Sequence, residues 1–290
     1  MGMTPLALVG GTPHDTDRYS NWLEARLGDV SPLLVENPVW SDAIMNEVFG
    51  HPWLSQTYAS LPLGAAVPVL TNEIKAYLAA SVLDDRKADA HWFQRRIPVI
   101  RYLVAEGASL LQHFGAGCLA DIPHPNFGLS DGDGSARTKF HNDTALGLYA
   151  AWYGANYGRR RQSQTRNWIR DGKVVTTQYR SPEVQLFGDI HRFSIINRAQ
   201  MAPMHDRNII LLNDLYREED TRFRDRQRQS DTYLNFICFE PWLRPPMRSF
   251  LLDKVTHGEL APGTVSGMQS RLRLFARFLR EDGVVDPGQI

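Results

Sequence analysis

The stretch that most constrains the fold is residues 239–283, where two segments with a helical period flank the break Ala261-Pro262-Gly263. Because proline and glycine interrupt helices, the stretch predicts two helices joined by an elbow, with Thr264 as the cap of the second helix. In that helix, apolar residues at helical spacing define one buried arc: Val265, Met268, Leu272, Phe275, Ala276 and Leu279. Leu274 and Phe278 lie outside the arc, so we expect the helix to bury more than one side.

The opposite side of the second predicted helix carries small hydroxyls and guanidinium groups, at Ser266, Ser270, Arg273, Arg277 and Arg280. Guanidinium forks and hydroxyl donors suit phosphate oxygens. Residues 241–280 contain seven Lys/Arg and two acids, Asp253 and Glu259, which is a local charge of +5 in a chain of zero net charge. Such a local excess of positive charge predicts contact with nucleic acid.

Trp242-Leu243-Arg244 opens the first predicted helix, Thr264 opens the second, and Phe278-Leu279 closes it. With these residues, the run 241–279 resembles the core-binding, SAM-like domain of large bacterial tyrosine site-specific integrases. The resemblance covers about a sixth of the chain. It implies a four-helix module that clamps one face of a recombination site, while a separate domain supplies the catalytic Arg, Lys, His-x-x-Arg and nucleophilic Tyr.

The sequence lacks a His-x-x-Arg motif, and only Val284 to Ile290 follow Gly283. We therefore expect the catalytic domain to be missing from this chain, and we assign no catalytic residue. The expected function is binding of double-stranded DNA in site-specific recombination or integration of mobile DNA, with self-association on the DNA. The expected DNA-binding residues are Arg244, Arg248, Lys254, Thr264, Ser266, Arg271, Arg273 and Arg277. We expect phosphate contacts to dominate, and we expect no cofactor or metal.

The rest of the sequence predicts a mainly α fold, with the SAM-like helical module, a small antiparallel β insertion in the middle, and an α+β class as a whole. Four regions are expected: irregular and helical residues 1–70, helical residues 71–170, β-containing residues 171–228 with a charged linker, and the core-binding residues 229–290. The helices of residues 71–170 are interpreted as a generic helical hairpin, with a second SAM-like module as the alternative.

Local patterns predict individual elements within these regions. Helices are expected over 17–27, from a cap at Ser41 to Phe49, from a cap at Thr71, over 90–114 with a break at Pro98, and over 143–157. Strands are expected over 173–179, 184–187, 192–197 and 209–212, where β-branched and aromatic residues cluster.

The two cysteines, Cys118 and Cys238, have no metal-binding spacing and indicate a reducing compartment. No stretch approaches 18 consecutive apolar residues, and the N-terminus lacks the pattern of a signal peptide. We therefore expect a cytoplasmic protein that neither spans nor binds a membrane.

Two alternative functions stay open. His141-Asn142-Asp143 is an H-x-D motif, which together with His191 or His205 would supply the facial triad of a non-haem Fe(II)-dependent oxygenase. Arg217 would then bind the carboxylate of a co-substrate. The second alternative is a helical protein-interaction module whose basic faces meet acidic protein partners.

Overall fold

The computed structural model describes residues 13–50, 60–83, 95–124, 144–158, 163–170, 173–180, 182–215, 233–256, 260, 262–286 and 288. These residues are mainly helical and include two-stranded antiparallel sheets. The predicted fold class, mainly α with a small antiparallel β part, is confirmed. The chain divides into two compact units: the first unit comprises Met1–Pro123 and Phe140–Ile195, and the second unit His124–Lys139 and Ile196–Ile290.

The first unit is built from helices and two short sheets. Its helices are α1 (Pro13–Val30), α2 (Pro32–Glu36), α3 (Asp42–Phe49), α4 (Pro68–Leu83), α5 (Ile97–Phe114), α6 (Ala145–Tyr157) and α7 (Pro182–Ala199), the end of which belongs to the second unit. Its strands are β1 (Trp40–Ser41), β2 (Ser60–Leu61), β3 (Ser163–Arg170) and β4 (Lys173–Arg180). In the antiparallel hairpin β3–β4, Ser163 lies opposite Arg180 and Arg170 opposite Lys173.

Most of the predicted helices of this unit are confirmed. Helix α1 contains the predicted segment 17–27, α3 follows its cap residue Ser41, and α6 matches the segment 143–157. Thr71 was predicted as a cap but lies inside α4, where its hydroxyl donates to the Leu63 carbonyl over 2.7 Å. Helix α5 begins at Ile97 and has Pro98 in its first turn, a position where proline is tolerated, so Pro98 does not break the helix. Residues 84–94 lie outside the described residues.

The predicted strands 184–187 and 192–197 are wrong, because both segments lie in α7. The buried residues of α7 recur every three or four positions, which is the period of a helix packed on a core. They are Leu186, Phe187, Ile190, His191, Ser194 and Ile195. The predicted strand 173–179 is confirmed as β4, and its partner β3 falls within the region that the sequence predicted as helical.

Helix α4 carries polar side chains into the core of the first unit, and Glu73 and Lys75 both have hydrogen-bond partners there. The carboxylate of Glu73 accepts the backbone N–H groups of Leu119 and Ala120, at 2.9 and 3.2 Å. The ammonium group of Lys75 donates to the Val35 carbonyl over 3.1 Å, and burial lowers the pKa of Lys75. These contacts fix the position of α4 among its neighbours because unpaired buried polar groups are costly.

The second unit packs two helices on a small sheet. Strands β5 (Ile209–Leu211) and β6 (Tyr233–Asn235) pair antiparallel, and β5 confirms the strand predicted over 209–212. Helices α8 (Arg244–Thr256) and α9 (Pro262–Glu281) follow. Their shared core contains the buried residues Ile210, Leu212, Leu234, Phe236, Phe239, Leu243, Met247, Leu251, Val255, Val265, Ala276 and Leu279. The predicted charged linker 217–228 lies outside the described residues.

None of the described helices is both long enough and apolar enough to cross a membrane.

Candidate nucleic-acid interface

The orientation of α9 is set by one buried side. Val265, Ala276 and Leu279 are buried in the core of the second unit, as the sequence predicted, and Met268 and Leu272 are half-buried. Phe275, predicted in the same arc, is exposed.

A buried hydrogen bond between α9 and β6 supports the same orientation. The side chain of Gln269 is buried, and its Nε2 donates to the Asn235 carbonyl of β6 over 3.0 Å. Apolar packing and this hydrogen bond together fix which residues of α9 face solvent.

The predicted phosphate-binding stripe lies along one edge of the buried side of α9, and not on the side opposite the apolar arc as the sequence predicted. We call it the basic flank: Ser266, Ser270, Arg273, Arg277 and Arg280, all of which are half-buried or exposed. The Ser270 hydroxyl donates to the Ser266 carbonyl over 3.1 Å. Arg277 Nε donates to Glu281 Oε1 over 2.7 Å, in an ion pair between two exposed side chains. The basic flank therefore presents guanidinium groups on successive turns of one rigid helix.

Arg273 is held in place by Cys238. Its Nε donates to the Cys238 sulfur over 3.0 Å, and that thiol in turn donates to the Asn235 carbonyl over 2.8 Å. Burial raises the pKa of the Cys238 thiol, although the nearby Arg273 guanidinium opposes the rise. A raised pKa keeps the sulfur protonated at neutral pH, so this thiol serves as a structural contact for Arg273.

The two predicted arginines of α8 lie against backbone carbonyls. Arg244 Nε donates to the Phe239 carbonyl over 3.0 Å and its Nη2 to the Ile237 carbonyl over 3.4 Å. Arg248 Nη1 lies 3.1 Å from the carbonyl oxygens of both Asp206 and Arg207. Both side chains therefore brace loops of the second unit, a role that their positions in the sequence did not indicate.

The remaining predicted DNA-binding residues are exposed but lie off the basic flank. Lys254 of α8 has its Nζ 5.7 Å from the centre of the Phe250 ring, a cation–π contact. Thr264 is the third residue of α9, so the prediction that it caps the helix is wrong. Arg271 is exposed on the outer side of α9. Of the eight predicted residues, Ser266, Arg273 and Arg277 therefore share the basic flank.

The expectation that α9 buries a second side is also wrong. Leu274 and Phe278 are 66% and 58% exposed, on the same outer side as Arg271. The sequence shows that these residues are apolar and outside the main arc, but only the packing of α8 and β6 on one side of α9 leaves them in solvent.

The residues of the predicted iron site are only partly described. His141, Asp143 and Arg217 lie outside the described residues. His191 is buried in the first unit, with Nε2 2.9 Å from the Ile122 carbonyl, and burial lowers its pKa to about 4. A neutral ring donating Nε2–H to this carbonyl does not offer that nitrogen to a metal. His205 is exposed, with Nε2 3.3 Å from Asp206. No group of three or more potential metal ligands occurs among the residues that the structure describes.

Comparisons of the chain with protein-family models, with curated proteins and with solved structures found no match. The integrase resemblance thus stays a prediction from the sequence.

Proposed function

We propose that the second unit binds double-stranded DNA through the basic flank of α9, as a DNA-clamping module in site-specific recombination or integration. The observation that carries the proposal is the placement of Arg273, Arg277 and Arg280 along one edge of a helix whose buried side is fixed by core packing and by Gln269. Arg273, which contacts Cys238, loses less conformational freedom when it binds phosphate than a flexible surface side chain does.

The length of the basic flank matches a run of phosphates. From Ser266 to Arg280 the helix axis advances by about 21 Å, at ~1.5 Å per residue. The phosphates of one B-DNA strand are ~3.4 Å apart along the axis but wind around it, so a straight helix of this length faces a few of them. The flank can therefore contact several phosphates at once, and such contacts position a protein on DNA without selecting a sequence.

The ion pair between Arg277 and Glu281 does not argue against this function. Both side chains are exposed, and exposed ion pairs contribute only ~0–1 kcal/mol because water screens them. A DNA phosphate can therefore replace Glu281 as the partner of Arg277 at little cost. The role in recombination, and self-association on the DNA, come from the family resemblance and form part of the proposal.

The experiment is a fluorescence-anisotropy titration of a labelled DNA duplex at low salt. The variant Arg273→Gln/Arg277→Gln should bind roughly 10- to 100-fold more weakly than the wild type, because two contacts of ~0.7–1.4 kcal/mol each are lost. Circular dichroism should show that the variant is folded, since Arg273 also contacts Cys238.

The matched control is Arg18→Gln/Arg26→Gln, which removes the same charge from two exposed positions of α1 in the first unit. Its affinity should stay within about twofold of the wild type, because neither arginine belongs to the basic flank. Equal affinity of the basic-flank variant and the wild type would contradict the proposed function.

A further inference from the structure

The outer side of α9 has a second pattern, distinct from the basic flank. Arg271, Leu274, Phe278 and Glu281 are all exposed and form a single row, which we call the outer stripe. Their spacing of three, four and three residues is the spacing of a seam between two packed helices. Two large apolar side chains exposed side by side on a helix are a feature of interaction surfaces.

The opposite charges at the two ends of the outer stripe fit a second copy of the same helix. Arg271 and Glu281 lie equally far from Ala276, and so do Leu274 and Phe278. A second α9 running antiparallel, with its midpoint at the same place, therefore puts Arg271 of each copy opposite Glu281 of the other. The same arrangement puts Leu274 opposite Phe278, so that the apolar pair is enclosed between two ion pairs. A parallel arrangement would instead bring like charges together.

We propose that two copies of this chain associate through their outer stripes, with the two α9 helices packed antiparallel about a two-fold axis. Such an interface is closed, because the same surface is used once by each copy, and it produces a dimer and not a polymer. The basic flank lies along a different side of α9 and meets the outer stripe at Glu281, whose ion pair with Arg277 competes with the proposed pair to Arg271 of the second copy. The proposal does not depend on DNA binding, and it can be tested without DNA.

The first test is sedimentation equilibrium of the wild type across a concentration series up to the millimolar range. We expect a monomer–dimer equilibrium for the wild type and a monomer for Leu274→Glu at every concentration, because a charge at the centre of the seam cannot be buried. The matched control is Leu83→Glu on α4, where the leucine is 59% exposed and lies in the first unit. It should dimerise like the wild type.

The second test exchanges the charges at the ends of the outer stripe. Arg271→Glu alone and Glu281→Arg alone each place like charges opposite one another at both ends of the dimer, and each should weaken dimerisation by roughly tenfold. A mixture of the two variants should recover the wild-type affinity, since the mixed dimer again has opposite charges at both ends.

A wild type that remains monomeric at all concentrations would overturn the proposal. So would a mixture that associates no better than either variant alone, because the antiparallel register requires the recovery. An equal loss of dimer in Leu83→Glu and Leu274→Glu would likewise overturn it, by showing that the outer stripe is not the interface.

Discussion

Gly107 allows α5 to pack closely against α4, and the substitution Gly107→Ala, which adds one methyl group, should test this. A Cβ added at Gly107 would overlap Cδ1 of Leu70, whereas carbon atoms pack at ~3.5–4.0 Å. Leu70 is fully buried, so its side chain has no exposed space into which to move. In Gly107→Ala, overpacking of ~1–3 kcal/mol should therefore outweigh the gain of ~1 kcal/mol in helix propensity. We expect a net loss of about 1 kcal/mol.

Gly188 of α7 provides the matched control. Outside the backbone of α7 itself, a Cβ at this position would meet no atom of the described residues within 4 Å. Gly188→Ala should therefore stabilise the first unit by ~0.5–1 kcal/mol through helix propensity alone. Urea unfolding followed by circular dichroism measures both changes in the free energy of unfolding. In a Leu70→Ala background the clash is removed, so Gly107→Ala should become stabilising. If both glycine substitutions stabilise the wild type equally, the packing argument is wrong.

Two further predictions concern buried polar groups of the first unit. Glu73→Ala leaves the backbone N–H groups of Leu119 and Ala120 without their acceptor, so it should lower the free energy of unfolding in urea by roughly 2–5 kcal/mol. Glu73→Gln keeps one acceptor oxygen and should lose about half as much. Equal stability of all three proteins would refute the role given to Glu73. His191 has its pKa lowered from 6.5 to about 4 by burial, so its contribution to stability is complete above pH 6.5 and is lost as the pH falls to about 4, where the loss should be ~3 kcal/mol. His191→Gln should lack this part of the pH dependence, and an unchanged profile would show that another group causes it.

The sequence predicts those helices in which a clear apolar period meets a recognisable boundary. Helix α3, with Ser41 at its start, is an example. The apolar period of α1 predicts only residues 17–27, and the helix extends beyond them at both ends. The strands predicted within α7 fail because Val, Ile and Phe favour strands locally, while burial of Leu186, Ile190 and Ser194 along one side fits only a helix. Tertiary packing overrides the local preference in this segment.

The candidate site was predictable to a similar extent. The grouping of Arg273 and Arg277 with Ser266 follows from helical spacing alone, and the structure places them on one flank. The role of Arg248 depends on carbonyls of Asp206 and Arg207, about forty positions earlier, and no local pattern indicates such a contact. Charge alone therefore does not separate arginines that brace the fold from arginines available to a ligand.

The salt dependence of DNA binding tests the central claim most directly. The logarithm of the association constant should fall linearly with the logarithm of salt concentration, and each arginine–phosphate contact contributes ~0.9 to the slope. We predict that Arg273→Gln/Arg277→Gln reduces the magnitude of the slope by about 2, while Arg18→Gln/Arg26→Gln leaves it unchanged. Identical slopes for the wild type and the basic-flank variant, or no binding of duplex DNA at low salt, would contradict the account.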